Sequence, residues 1–289
     1  MSKLVFIGLG AMGEPMAANL LKHGYEVIVT GRRSAAAVER LQGKGARRVE
    51  TLAEAGAATV FLMLPSSAEV EAVILGEQGL IETLEPGAVI VDCSTSDPAS
   101  TRQLAAKLLQ REIRLVDAPV TRGVKGARDG TLAFFIGGGD AEVQQVLPYL
   151  QAMGTDHFRF GAVGSGHTAK IINNMISLST LSLLSEATYL ARDAGLDIDT
   201  FYQAVMAGNG KSGTLESFGP RLSKRNYGSI NFRIDLAAKD LALSQQLAAR
   251  AGQPFFVSQA AYTMFQVAEK LGLAKKDIAN IAEFWTSRD

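Results

Sequence analysis

The chain has 289 residues, with 29 lysines and arginines against 29 aspartates and glutamates, and so no formal net charge. Its composition, 47% apolar and 20% charged, is that of a folded globular protein and excludes disorder as the main state. The charge balance holds in both halves, which argues against a nucleic-acid partner, because binding a polyanion requires a basic face. Along the chain, short apolar runs at residues 4–8, 26–30, 60–64, 88–92, 114–117 and 132–136 have the length of buried strands. Helical patterns fall between them, at residues 12–23 (closed by Gly24), 35–42 and 98–109. Alternation of this kind predicts an α/β architecture: a doubly wound parallel sheet with helices on both faces.

After about residue 161 the strand signal stops. Residues 165–194, 199–207, 235–250 and 254–270 read as helices, which predicts an all-helical second domain. The expected boundaries are 1–162 and 163–289, with the long helix at 165–194 linking the two domains. Residues 208–231, rich in Gly, Ser and Asn, read as a long functional or mobile loop. The single cysteine, Cys93, permits no internal disulfide, and His23, His157 and His167 show no metal-ligand spacing. No secretory pattern precedes the first strand. The longest apolar stretch, residues 171–191, carries Asn173, Asn174 and Glu186, too polar for a membrane span. These features predict a soluble cytoplasmic protein with neither metal nor membrane partner.

Gly8-Leu9-Gly10-Ala11-Met12-Gly13 directly follows the first strand and opens the first helix. Gly8 permits the tight turn, Gly10 lets a pyrophosphate approach the backbone, and Gly13 lets helix and strand pack closely. Ala11 and Met12 lie in the same turn, where the helix start offers free N–H groups to phosphates. With strand, turn, helix and second strand in one 30-residue unit, the motif predicts dinucleotide binding in a Rossmann-type domain; the alternative is a glycine turn used only for packing. The second strand ends in Thr30-Gly31-Arg32-Arg33-Ser34, without the acid that bonds an NAD ribose. Arg32 and Arg33 suit a 2′-phosphate, so NADP is the expected cofactor, with NAD possible if the turn is only a solvated basic one.

Three further segments carry candidate substrate contacts, the first two at the C-terminal edge of the sheet. Ser94 and Thr95, after a strand, can bond a nicotinamide amide or a substrate, or cap the next helix; Cys93 reads as a small buried apolar residue. Thr121-Arg122-Gly123 follows another strand, and six glycines fall within residues 123–139. Backbone this bare suggests a close approach, and Arg122 can clamp an anionic group or lie on the surface. Lys170, Asn173 and Asn174 line one face of the long helix at i, i+3, i+4 spacing. A lysine and two amides are expensive to bury without partners, which favours a polar pocket. Lys170 can give a proton to a carbonyl oxygen as hydride reaches its carbon, with Asn174 orienting it or bonding the substrate. His167 reads as a polar residue at the helix start rather than the base. Lys239-Asp240, alone, reads as an exposed helical pair.

Together these segments resemble the β-hydroxyacid dehydrogenase family, which includes 3-hydroxyisobutyrate dehydrogenase and tartronate semialdehyde reductase. The resemblance covers nearly the whole chain. Its carriers are Phe6 to Gly13, Asp92 to Thr95, Asp117 to Val120 with Gly130-Thr131-Leu132, Gly166 to Asn174, and Lys239-Asp240. It implies a Rossmann domain, a helical second domain, an active site in the cleft, and homodimers or homotetramers. It also implies Lys170 as general acid/base, substrate contacts at Thr121, Gly123 and Asn174, Lys239 beside nicotinamide and substrate, and cofactor contacts at Met63, Leu64 and Pro65. The expected activity is hydride transfer between NADP(H) and a small 3-hydroxyacid or its semialdehyde.

One departure stands out: the family's Ser-Gly-Gly after Asp-Ala-Pro-Val is here Thr121-Arg122-Gly123. Family members that reduce a three-carbon sulfonate aldehyde look similar in placing an arginine after that valine, so a sulfonated or dianionic short aldehyde is an alternative substrate. Imine reduction is a second alternative, although relatives that reduce imines usually carry Asp or Tyr in place of Lys170. A catalytically silent nucleotide-binding module is a third.

Overall fold

The computed structural model describes residues 3–30, 35–51 and 54–285. In chain order its first elements are β1 (Lys3–Ile7), α1 (Gly13–Lys22), β2 (Glu26–Val29), α2 (Ala35–Gln42), β3 (Arg47–Arg48), β4 (Thr59–Leu62), α3 (Ser67–Leu75) and α4 (Leu80–Thr83). Then come β5 (Val89–Asp92), α5 (Pro98–Leu109), β6 (Arg114–Asp117), β7 (Val120–Thr121), α6 (Gly123–Asp129), β8 (Leu132–Gly137), α7 (Asp140–Met153) and β9 (Gly154–Gly161). The rest is helical: α8 (Ser165–Asp193), α9 (Ile198–Ala207), α10 (Gly213–Ser223), α11 (Ile234–Arg250) and α12 (Phe256–Ala268), then short helical turns at Glu269–Leu273 and Ile278–Trp285. The chain divides into two compact units, Met1–Lys170 and Ile171–Asp289, with the division inside α8.

The central strands are apolar on both faces, so both faces must be covered. On one face Leu4, Phe6, Val27, Phe61, Val91 and Phe134 pack with residues of α1, α2 and α7; on the other, Val5, Ile7, Ile28, Val60, Leu62 and Ile90 pack with α3, α4 and α5. The strand order is β3-β2-β1-β4-β5-β6-β8-β7, with β9 also pairing β8. Strands β1 to β6 are mutually parallel, and the order reverses between β1 and β4. That reversal is the crevice in which doubly wound sheets bind ligands. The helical unit has its own core, built from Leu178, Leu181, Tyr202, Leu222, Ile234, Leu241, Phe265 and Ile281 among others. No helix among the described residues is long and apolar enough to cross a membrane.

The α/β architecture and the helical second half agree with the sequence expectation, but several details differ, among them helices α3, α4, α6 and α7 and strands β3 and β7, which were not expected. The sheet is mixed, because β8 runs antiparallel to β6 and β7. A helix of seven residues, α6, is too short to carry the chain back across the sheet face for a parallel return. Strand β9 lies where no strand was expected; its sequence, Gly-Thr-Asp-His-Phe-Arg-Phe-Gly, is more polar than the central strands. The expected loop at 208–231 contains helix α10, capped by Ser212, whose Oγ accepts the Leu215 N–H at 3.0 Å. Gly219, which made this stretch look like loop, lets α10 approach α9: a Cβ there would lie 3.1 Å from Leu215 and 3.4 Å from Tyr202.

The glycines of the first turn differ sharply in what surrounds them. A Cβ on Gly13 would lie 1.8 Å from the carbonyl oxygen of Gly8, whereas one on Gly10 would meet nothing within 4 Å. Gly13→Ala is therefore expected to destabilise the protein by about 1–3 kcal/mol, read as a lower midpoint in urea unfolding. Gly10→Ala should leave that midpoint where it is.

Candidate active site

Three loops meet at the switch point. Gly8, at φ +96°, ends β1 against the carbonyl of Met63, which a Cβ would approach to 2.2 Å. Met63 N–H donates to the Ile7 carbonyl at 2.9 Å, and Leu64 N–H donates to Ser94 Oγ at 2.9 Å. The turns after β1, β4 and β5 are thus hydrogen-bonded in series. Helix α1 begins with no side chain capping its first N–H groups, while Gly10 and Ala11 are exposed beside it. Open backbone, an uncapped helix start and the switch point fit a pyrophosphate. Pro65 is exposed, and Met63 and Leu64 are half-buried. Arg32 and Arg33 lie outside the described residues.

Beyond β5, Asp92 organises the turn that bears Ser94 and Thr95. Its Oδ1 accepts the Ser94 N–H at 2.9 Å, and its Oδ2 accepts the Ser96 hydroxyl at 3.0 Å. Ser94 is enclosed, so its hydroxyl first serves to hold the Leu64 loop, while Thr95 is half-buried. Cys93 is buried, and burial together with the Asp92 charge pushes its thiol well above the ordinary range, which leaves it an inert packing residue.

Thr121 ends β7 half-buried, and Arg122 and Gly123 are exposed. Both adopt left-handed backbone, with φ +81° and +59°. Arginine is strained there by about 1–2 kcal/mol. Its guanidinium is held by Asp156 Oδ2 at 2.7 Å, Thr155 Oγ1 at 2.8 Å and the Thr131 carbonyl at 2.9 Å. Hydrogen bonds from Thr155 and Arg122 hold the Asp156 carboxyl below its usual range. All three contacts leave from Nη1, and the side chain is exposed.

Helix α8 starts on a buried carboxylate. Asp117, at the end of β6, accepts the N–H of Gly164 at 2.7 Å and that of His167 at 2.8 Å. Burial raises the pKa of Asp117, opposed by the neighbouring His167 and by these N–H groups. Lys170, one turn further along α8, is 7% exposed. Asn19 was missed from sequence: its Nδ2 donates to the Ala127 carbonyl at 2.7 Å, tying α1 to α6. A buried amide in an amphipathic helix was the available signal.

In the helical unit, Asn174 Nδ2 donates to Asp240 Oδ2 at 2.6 Å, and Lys239 Nζ lies 3.0 Å from Asp240 Oδ1. Asp240, 2% exposed, therefore joins two of the residues selected from sequence. Asn173 donates to Asn174 Oδ1 at 3.2 Å, which completes a short chain of amides and charges.

Comparison with known proteins covers both halves. A family described as the NAD binding domain of 6-phosphogluconate dehydrogenase matches residues 3–164. Another, described as NAD-binding of NADP-dependent 3-hydroxyisobutyrate dehydrogenase, matches residues 164–285. The chain is 33% identical to 2-(hydroxymethyl)glutarate dehydrogenase of Eubacterium barkeri, over 98% of this chain and 94% of that protein. It is 38% identical to 2-hydroxy-3-oxopropionate reductase of Escherichia coli K12, over 85% of this chain and 84% of the other. The structure of Mycobacterium tuberculosis 3-hydroxyisobutyrate dehydrogenase with L-serine matches with a TM-score of 0.89 at 26% identity, covering both chains completely.

The open space around Gly10 is a cradle that a Cβ would fill. Gly10→Ala is expected to weaken NAD(P) binding by roughly tenfold or more, about 1.4 kcal/mol, in a fluorescence or calorimetric titration. Because its stability should be unchanged, an unaltered affinity would remove Gly10 from the cofactor cradle.

Proposed function

The chain belongs to the 3-hydroxyisobutyrate dehydrogenase family of NAD(P)-dependent oxidoreductases acting on small hydroxyacids, and from that premise we propose that it uses NADP(H) to interconvert a small 3-hydroxyacid and its semialdehyde, with Lys170 as general acid/base. The observation that carries this reading is Lys170 itself: a lysine 7% exposed, on the helix that starts from the end of β6. An ammonium group is not enclosed to this degree without a task or a set of partners.

Bound NAD(P) supplies or accepts the hydride. The chain's own residues manage charge and protons. Lys170 Nζ gives a proton to the carbonyl oxygen in reduction and takes the hydroxyl proton in oxidation. Backbone at Thr121 and Gly123 receives the substrate's anionic end, and Arg122 joins it through Nε and Nη2, which take no part in its contacts with Asp156, Thr155 and Thr131. Asn174 and Lys239, fixed by Asp240, orient the substrate. When the cofactor is bound, Met63, Leu64, Pro65 and Thr95 would contact it, and Arg32 and Arg33 would receive its 2′-phosphate.

Lys170→Met should retain NADP(H) binding while kcat falls by about 100- to 10,000-fold, assayed over a panel of carboxylate and sulfonate hydroxyacids; retained turnover would remove Lys170 from the mechanism. The assignment of Arg32 and Arg33 requires a higher kcat/KM with NADPH than with NADH. That advantage should disappear in the Arg32→Ala, Arg33→Ala double variant.

A further inference from the structure

His167 has no part in the chemistry above, yet its surroundings are more elaborate than a packing residue needs. Its side chain is 0% exposed, and it stands one turn ahead of Lys170 on α8. Three elements close on the imidazole. Thr101 Oγ1, from α5, lies 2.8 Å from Nδ1. Asp92 Oδ2, at the end of β5, lies 3.6 Å from Nε2. Asp117 Oδ2, at the end of β6, lies 3.9 Å from Nδ1 and accepts the His167 backbone N–H. Asp92 and Asp117 are register partners on adjacent strands, so the ring sits between two buried carboxylates.

The partners fix where the imidazole proton sits. Thr101 Oγ1 gives its own proton to the Asp97 carbonyl at 3.0 Å, so Nδ1 carries an imidazole proton and donates it to Thr101, while Nε2 lies beside Asp92 Oδ2 beyond hydrogen-bond reach. Asp92 also shapes the turn bearing Ser94 and Thr95, through the Ser94 N–H and the Ser96 hydroxyl. One ring therefore joins the first turn of α8 to both the β5–α5 turn and helix α5. All these contacts lie within the first compact unit.

We propose that His167 is a positioning residue for the reaction: through its hydrogen bond to Thr101 and its packing beside Asp92 it sets the first turn of α8, and with it Lys170, against the turn that bears Ser94 and Thr95. The proposal rests on the reading of Lys170 as acid/base. A proton donor displaced by about an ångström can lose roughly a hundredfold in rate with no loss of binding.

His167→Leu keeps the bulk and removes both nitrogens. It should lower kcat by roughly 10- to 100-fold, with the NADP(H) dissociation constant and substrate KM within about twofold of the parent enzyme. His167→Asn places an amide donor near the Nδ1 position and should recover most of kcat. Thr101→Val should lower kcat in the same direction, and adding it to His167→Leu should cost less than its effect alone, because both cut one chain of contacts. A His167→Leu protein that binds cofactor normally and turns over at the parent rate overturns the proposal, as does a His167→Asn protein no better than His167→Leu. If His167→Leu does not fold, His167→Asn and Thr101→Val decide: parent-like KM with lowered kcat in Thr101→Val supports positioning, and an unchanged kcat there refutes it. Lys170→Met, measured alongside, separates the two readings. An active Lys170→Met enzyme ends the acid/base assignment. An inactive one beside parent-like His167 and Thr101 variants ends only the proposal about His167.

Discussion

The first compact unit depends on one buried contact: the Asp117 carboxylate against the start of α8. It accepts the N–H groups of Gly164 and His167 at a point where a helix of 29 residues begins. The first turn of a helix has no internal acceptors for its N–H groups, and its partial positive charge favours a carboxylate there. Burying that carboxylate has a cost, visible in its raised pKa, which the two N–H groups and His167 partly offset. The contact also dictates glycine. A Cβ on Gly166 would lie 2.2 Å from the Phe135 carbonyl and 2.9 Å from Asp117, so the helix could not approach the sheet so closely with any larger residue. Removing the carboxylate would orphan both donors at about 1–3 kcal/mol each. The position of Lys170 follows from this joint.

The sequence carried the fold where one segment decides its own structure. The parallel strands were legible as apolar runs because both faces of a covered sheet are buried, and the first turn because its three glycines have fixed mechanical tasks. Strand β9 and the antiparallel course of β8 were not legible. Each is settled by its neighbour: β9 pairs along β8 with two register irregularities, and β8 meets β6 through one residue pair, Asp117 with Gly137. Helix α10 was hidden by its glycines, one of which serves packing against Tyr202 rather than a turn.

The candidate site divides in the same way. Lys170 and Asn174 stood out because their spacing along one helix is a local property. The partners that give His167, Arg122 and Asn174 their settings are Thr101, Asp156 and Asp240, at sequence separations of 66, 34 and 66 residues. No local pattern announces such a contact. Arg122 shows the consequence: from sequence it was a free cation at the sheet edge, and in the structure it is a strained left-handed residue whose guanidinium is already held.

The resident carboxylates give the zero net charge its physical meaning. Of the cations near the candidate site, Arg122 faces Asp156 and Lys239 faces Asp240. For Arg122 the partner carboxylate is exposed, so the pair contributes only about 0–1 kcal/mol, and all its contacts leave from Nη1. For Lys239 the partner carboxylate is buried and also holds Asn174, so removing that carboxylate would break a buried joint at a loss of several kcal/mol. The two cations therefore differ in kind: the Arg122 pair is an exposed contact that solvent weakens, while the Lys239 pair rests on a buried carboxylate that organises the helical unit around it.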